Sequence, residues 1–418
     1  MSVATWPAAS WHHTLLWLEK RRPGMVINPF FTMNAVLRLR GPLRPAALAT
    51  AVDTLVARHD LLRTRLRFTD AGPVQEVAAP MTGLLETTDD DEVRATHGWL
   101  HPPVSAEAES PLRVRLAHIG SHEHLLSVHL HHLMADPVTL WRTVGGLADL
   151  YTAEVDHGQS PPPPSAQYPE YTEMEGAFGD AGRAEALQWW GATLADAQLA
   201  SVRLDEQGEP FAFRAELLNP ARVAAVERLA RRHRSPFLAV LLAGFVGAFA
   251  PYLGAGDTVL CNTWFNCRDR PRWQRMLGPC LTRTYLPLPR PVDGLDGDHL
   301  RMVRDRVIGA RRHARQPLTT LIDSFPAVAA AVELAPFVEH IPQNWPAGLR
   351  FGAAEATVVD SAGPGDVGTP ADFCLWTRST LSGEVRVNVC GCGIGWTAGR
   401  AAALPGAFAR QLELIASD

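Results

Sequence analysis

The stretch SVHLHHLMADPVTLW, Ser127 to Trp141, holds the densest set of side chains able to do chemistry: His129, His131, His132 and Asp136. A histidine near an ionised aspartate suits general-base or positioning work, because its ordinary pKa lies close to neutral pH. Alternation along a strand sends His131 and His132 to opposite faces, so only one of them can face a given cleft. His129 and His131 share a face and invite a metal reading, but a third ligand at ordinary spacing is missing. Core or interface histidines without chemistry are the third reading. Asp136 followed by Pro137 fits an N-cap with proline at the first helical position. There is no G-x-S-x-G elbow, P-loop or G-x-G-x-x-G, so covalent serine catalysis and nucleotide binding have no support.

Residues 123–130 alternate apolar and polar and predict the strand that carries the histidines; 111–118 predict its neighbour, joined through Gly120-Ser121. A helix is predicted from Pro137 to about Val155. Upstream, 33–45 read as an alternating strand and a Gly-Pro turn, and Pro45 opens a helix with Leu48, Val52, Leu55 and Val56 on one face. The run DHGQSPPPPSAQYP, Asp156 to Pro169, favours extended polyproline and marks the best boundary in the chain. Beyond it, helices are predicted over 181–195, 220–233, 293–314 and 397–416, and strands over 210–217, 257–265, 348–359 and 372–389. Gly363 to Gly368 read as a loop. Helix–strand alternation in both halves is compatible with two similar α/β lobes facing each other.

The chain has 418 residues, 46% of them hydrophobic and 20% charged, enough for two packed lobes and too apolar for global disorder. Its net charge is −5, lysine occurs only at Lys20, and the arginines are scattered, which argues against a nucleic-acid face. Six cysteines without C-x-x-C or zinc spacing suggest reduced thiols and a cytoplasmic protein. The N-terminus lacks the order of a signal peptide. Pro236 to Leu253 carries no charge over 18 residues, the lower limit of a membrane span, but Gly244, Gly247 and Pro251 favour a buried core helix.

HHLMADP resembles the HHxxxDG motif of condensation domains from nonribosomal peptide synthesis, within the wider chloramphenicol-acetyltransferase-like superfamily. Other segments resemble the family in the right order. Arg58-His59-Asp60-Leu61-Leu62-Arg63-Thr64 is similar to RHExLRT. Pro236 to Leu260 resembles the apolar helix leading into Y-x-G-x-x-D-x-V, Asn266 to Gly278 the G-R-x-R-P…IG segment, and His313 to Asp323 the HQDxPFExLV motif.

The resemblance implies an α/β protein of two acetyltransferase-like lobes, a V-shaped pseudo-dimer with a tunnel between them. The N-terminal lobe would span 1–165 and carry the HHxxxD motif; the C-terminal lobe would span 166–418. The implied activity is acyl transfer from a carrier-protein thioester to an amine, or an alcohol, giving an amide or ester, as in antibiotic biosynthesis. The implied partners are acyl- or peptidyl-carrier proteins and the acceptor, without nucleic acid or membrane, the enzyme itself being a monomer. No cofactor of its own is implied; substrates arrive on phosphopantetheine. His132 would face the tunnel and orient the acceptor nitrogen or take its proton, while His131 would be structural. Asp136 would be held by an arginine, for which Arg268 is the candidate, and Arg63 would be a second structural arginine near the motif.

Departures from the family pattern matter. Pro137 stands where the motif has glycine, removing any amide donor there. Val138 and Thr139 replace tryptophan and serine, and F-V-N-T becomes Leu281-Thr282-Arg283-Thr284. Arg283 is either a solvated loop residue or a recognition group for an acidic moiety. The opening motif is altered to SWHHTLLWLEK, with His12 and His13 as first-helix residues and His13 a candidate for the tunnel lining. Taken as full length, the chain resembles a freestanding condensation enzyme; an excised domain is the other reading. A non-catalytic docking module that recruits a carrier protein or tailoring enzyme is the competing function.

Overall fold

A computed structural model of the chain describes residues 4–70, 72–89, 99, 101–291, 295–332, 334–342, 347–359, 372–380 and 382–417. They form two compact units. Unit 1 comprises Met1–Phe178, Asn266–Leu281 and Asn344–Gly368; unit 2 comprises Gly179–Phe265, Thr282–Gln343 and Thr369–Asp418.

Unit 1 starts with strand β1 (Ala4–Pro7), helix α1 (Ser10–Arg21), β2 (Thr32–Arg40) and α2 (Pro45–Arg58). Strands β3 (Thr64–Thr69), β4 (Gly72–Val77), β5 (Leu85–Asp89), β6 (Leu112–Gly120) and β7 (Glu123–His131) follow, then helix α3 (Pro137–Val155) and the long α4 (Tyr168–Leu194), which runs past the unit boundary. Strand β7 is central in its sheet, antiparallel to β2 on one side (Thr32 opposite His131) and to β6 on the other (Leu112 opposite Leu130). Its residues from His124 to His131 are buried, which explains a run richer in leucine than a half-exposed strand needs. The faces of α2 and α3 that bear Leu48, Val52, Leu55, Leu140, Val144 and Leu147 complete the core.

Unit 2 contributes β8 (Leu199–Ala200), β9 (Phe211–Leu218), α5 (Pro220–Arg232), α6 (Phe237–Phe249), β10 (Thr258–Asn266), β11 (Leu281–Pro289), α7 (Gly297–Arg312) and β12 (Phe337–Ile341). The chain then supplies β13 (Arg350–Phe351) and β14 (Ala354–Val358) to unit 1, where β14 pairs with β2. It ends with β15 (Phe373–Ser379), β16 (Val385–Gly391) and α8 (Ala398–Ser417). Unit 1 holds a six-stranded sheet of order β13-β14-β2-β7-β6-β5 and a three-stranded one of order β1-β4-β3, and the unit 2 sheet runs β11-β10-β12-β15-β16-β9 with β8 on β10.

The core of unit 2 is built around α6, in which every residue from Ala239 to Phe249 is buried. A Cβ on Gly244 would lie 2.6 Å from the Phe408 ring, so glycine lets α6 and α8 approach closely. Among the described residues no single helix is long and apolar enough to cross a membrane, and α5 and α6 reach that length together only across a bend of 107°.

Several boundaries differ from expectation. Helix α4 begins at Tyr168 rather than 181, because Pro169 sits in the first turn, where its missing amide costs nothing. Helix α7 begins at Gly297 rather than 293, where Asp296 Oδ1 accepts from the His299 amide at 2.7 Å. The run 372–389 folds as two strands. The Gly363–Gly368 loop lies outside the described residues.

Candidate active site around His132 and Asp136

His131 ends β7 and points into the protein, fully buried, whereas His132 lies one residue further and is half-buried. The two rings hold opposite tautomers. The Leu133 amide donates to His131 Nδ1 at 3.2 Å, so the ring proton of neutral His131 sits on Nε2. His132 Nδ1 donates to the Ala135 carbonyl at 2.7 Å, which leaves the lone pair on Nε2. Burial, and then the charge of His132, lower the His131 pKa to about 4, so His131 is neutral at physiological pH.

The turn that follows is tied at each step. The Met134 amide donates to the His131 carbonyl at 2.9 Å, and Trp11 Nε1 of α1 donates to the Leu133 carbonyl at 2.9 Å. Asp136 then caps α3. Its Oδ1 accepts from the Thr139 amide and from Thr139 Oγ1, each at 2.7 Å. The rest of its capacity is taken by the segment Asn266–Leu281. Arg268 Nη1 donates to Oδ2 at 2.6 Å, Arg268 Nη2 to Oδ1 at 3.0 Å, and the Cys280 amide to Oδ2 at 3.2 Å. Both side chains of this ion pair are buried. Burial pushes the Asp136 pKa up, but the Arg268 charge and the donated hydrogen bonds outweigh it and hold the carboxyl below its ordinary value. Such a pair orients structure and offers no proton near neutral pH.

Arg268 reaches further, donating to Thr139 Oγ1 at 3.0 Å and to the Gly278 carbonyl. Gly278 has φ +138°, and a Cβ there would lie 2.1 Å from the Tyr168 ring, so only glycine fits. Tyr168, buried at the start of α4, donates through its hydroxyl to the Pro279 carbonyl at 2.9 Å. The Cys267 amide donates to the Cys280 carbonyl at 2.7 Å, which closes the segment so that Arg268 and Cys280 reach one carboxylate together.

The remaining sequence candidates are placed as follows. Pro137 is the first residue of α3 and half-buried. Arg63 forms an ion pair with Asp60 at 2.5 Å and donates to the Ala78 carbonyl, so it braces its own strand entry and not the motif. His13 is exposed on α1, whereas His12 is buried, accepts from the Ala9 amide at 3.0 Å through Nδ1, and has its pKa lowered to about 3 by burial and by His13. Arg283 is not a solvated loop residue: it lies in β11 of unit 2, 1% exposed, donating through Nε and Nη2 to Asn262 Oδ1 at 3.1 and 2.9 Å. Sequence reasoning missed Trp11, Ala135, Gly278 and the Cys280 amide. The glycine of the IG-like segment was a usable signal; the backbone donors and acceptors leave none. Among the described residues no group of three or more histidine, cysteine or acidic side chains is placed to hold a metal ion.

Comparison with known proteins places this arrangement. The family model described as Condensation domain matches residues 28–334. A plipastatin synthase polypeptide of Bacillus subtilis is 25% identical over 332 residues, covering 76% of this chain and 9% of that protein. Nonribosomal peptide synthetase kk1B of Curvularia clavata is 29% identical over 269 residues, 61% of this chain and 2% of that protein, so the chain spans a small part of the relatives it matches. Among solved structures, the X-domain from teicoplanin biosynthesis superposes with a TM-score of 0.79 at 19% identity, covering 99% of this chain and 95% of that one. The first condensation domain of the calcium-dependent antibiotic synthetase gives 0.75 at 21% identity, over 100% and 98% of the two chains. The mixed α/β architecture is that of the chloramphenicol-acetyltransferase-like fold, and the chain belongs to the condensation-domain family of nonribosomal peptide synthesis.

Proposed function

We propose that this chain transfers an acyl group from a carrier-protein thioester to an amine or alcohol acceptor, with His132 as the catalytic residue. The observation that carries this reading is the Nδ1 hydrogen bond to the Ala135 carbonyl, which holds a half-buried imidazole with its basic nitrogen at Nε2. Nε2 accepts the proton of the acceptor N–H or O–H as that atom attacks the thioester carbonyl. Collapse of the tetrahedral intermediate breaks the C–S bond, and the departing phosphopantetheine thiolate takes a proton back from the imidazolium. Asp136, Arg268 and His131 hold the turn in place without touching substrate; Arg63 supports the preceding element. The chain needs no cofactor of its own, and the pantetheine belongs to the substrate. Arg283 is a candidate contact for an acidic group of donor or acceptor, and His13 a candidate for the substrate passage.

A second reading is favoured by one observation. Pro137 supplies no amide where the family motif has glycine, and the X-domain from teicoplanin biosynthesis, whose complex with OxyB has been solved, shares the fold. On that reading the chain docks a carrier protein or a tailoring enzyme without catalysis. Mass spectrometry of an acyl-loaded carrier protein, incubated with this protein and a pool of amines, separates the two. Transfer that is lost in His132→Ala supports catalysis. Equal turnover without His132 sinks the assignment, and carrier binding with no product above background favours docking. A Pro137→Gly variant with an unchanged rate would leave proline a helix-start role alone.

A further inference from the structure

The hydrogen bond to Ala135 holds one edge of the His132 ring. Two aromatic rings pack beside it, both tilted against its plane. The Phe31 ring centroid lies 4.8 Å from that of His132 at an interplanar angle of 32°, and the Trp11 centroid lies 5.3 Å away at 43°. Neither ring is loosely held. Trp11 is buried in α1 and anchored through Nε1 to the carbonyl of Leu133, the residue after His132. Phe31 accepts the His132 amide at its own carbonyl at 2.8 Å, so the residue that packs on the imidazole also holds its backbone.

The support extends one step back. Glu19, near the end of α1, receives the amides of Gly24, Val26 and Ile27 at 2.6, 2.7 and 3.2 Å, folding the link between α1 and β2 that delivers Phe31. Phe31 N donates in turn to the Asn28 carbonyl at 2.8 Å. The altered opening motif therefore places Trp11, and not a histidine, against the imidazole.

We propose that Trp11 and Phe31 are positioning residues for His132, an aromatic clamp that fixes the imidazole plane and keeps its proton on Nδ1. This rests on the catalytic reading for its consequence, but not for its test. A ring free to swing loses the Ala135 hydrogen bond for part of the time and then samples both tautomers, whereas proton acceptance requires the Nε2 lone pair in place. A displacement of about 1 Å in a reacting group costs on the order of 100-fold in rate.

The decisive measurement is long-range ¹H–¹⁵N correlation of the His132 ring in the whole protein at neutral pH, which reads the tautomer without any substrate. In the parent, His132 should show one tautomer protonated at Nδ1. Trp11→Ala and Phe31→Leu should each shift the ring nitrogens toward averaged values, while Trp11→Phe, which keeps a ring but loses the indole donor, should fall between. Phe31 is half-buried, so Phe31→Leu tests the clamp even where Trp11→Ala fails to fold. With the acyl-loaded carrier and amine pool as substrates, kcat should fall about 10- to 100-fold and KM stay within about 3-fold. Unchanged tautomer signals in Phe31→Leu and Trp11→Phe would overturn the clamp. An active His132→Ala protein whose parent nonetheless shows the single tautomer would instead overturn the catalytic role and leave the clamp standing.

Discussion

Two arginines of one short stretch are both removed from water, yet the acceptors that their side chains meet differ in kind. Arg268 in unit 1 meets the carboxylate of Asp136 through two nitrogens and also serves Thr139 and the Gly278 carbonyl. Arg283 in unit 2 offers two nitrogens to the amide oxygen of Asn262, a neutral acceptor, with its guanidinium 5.8 Å from the Phe337 ring centroid. A full charge facing a full countercharge in low dielectric is a structural bolt, and removing one half leaves the other uncompensated. The contrast predicts different costs of mutation at the two positions, and it can be broken by experiment.

The largest effect belongs to the bolt. Asp136→Ala should cost about 3–5 kcal/mol of unfolding free energy, read by denaturant titration, because Arg268 is left buried and unneutralised. An effect within about 1 kcal/mol would mean that Arg268 finds water or another partner and that the two arginines are alike. Acid should weaken unit 1 next. His131 has its folded pKa lowered from 6.5 to about 4, so the unfolded chain binds the extra proton first and stability falls as pH drops from about 6.5 to about 4. The loss approaches about 3 kcal/mol for this one group, and thermal melts of His131→Asn across that window should show a shallower slope. Thr139→Val keeps the shape but removes the hydroxyl shared by Asp136, Arg268 and the Gly278 amide, and should cost about 1–3 kcal/mol in the same titration. Arg283→Met should be the mildest, about 1 kcal/mol, with its main consequence in which acyl donors are accepted by mass-spectrometric competition. Indifference to acidic and neutral donors alike would remove the recognition role.

How far the sequence speaks depends on the kind of interaction. Periodicity located β2, β6, β7, α2 and α3 closely, because each buries one stripe or an entire strand and the pattern is strong. The aspartate at a helix start was likewise readable, since residue type and local context dictate a cap, whereas its arginine, far along the chain, was named only through the resemblance to the family's G-R-x-R-P segment. Short strands such as β1 and β8 were not readable: two to four residues carry no period, and their pairing is decided by partners distant in sequence. The Ala135 carbonyl and the Cys280 amide left no trace either, as every residue carries the same backbone groups. Arg283 failed as a loop residue for a related reason. LTRT has no apolar alternation, yet β11 is buried along most of its length, and an internal amide rather than solvent meets the guanidinium.

The segments Asn266–Leu281 and Asn344–Gly368 belong to unit 1 although most of unit 2 is encoded around and between them. On the ribosome, the first 178 residues therefore emerge with Asp136 lacking its cation and with β2 lacking β14, the neighbour that covers its edge. The first unit can be finished only after residue 358 has been made, so neither half is a removable cassette. Exchange of lobes between relatives would have to carry both returning segments with the first lobe or supply matching ones.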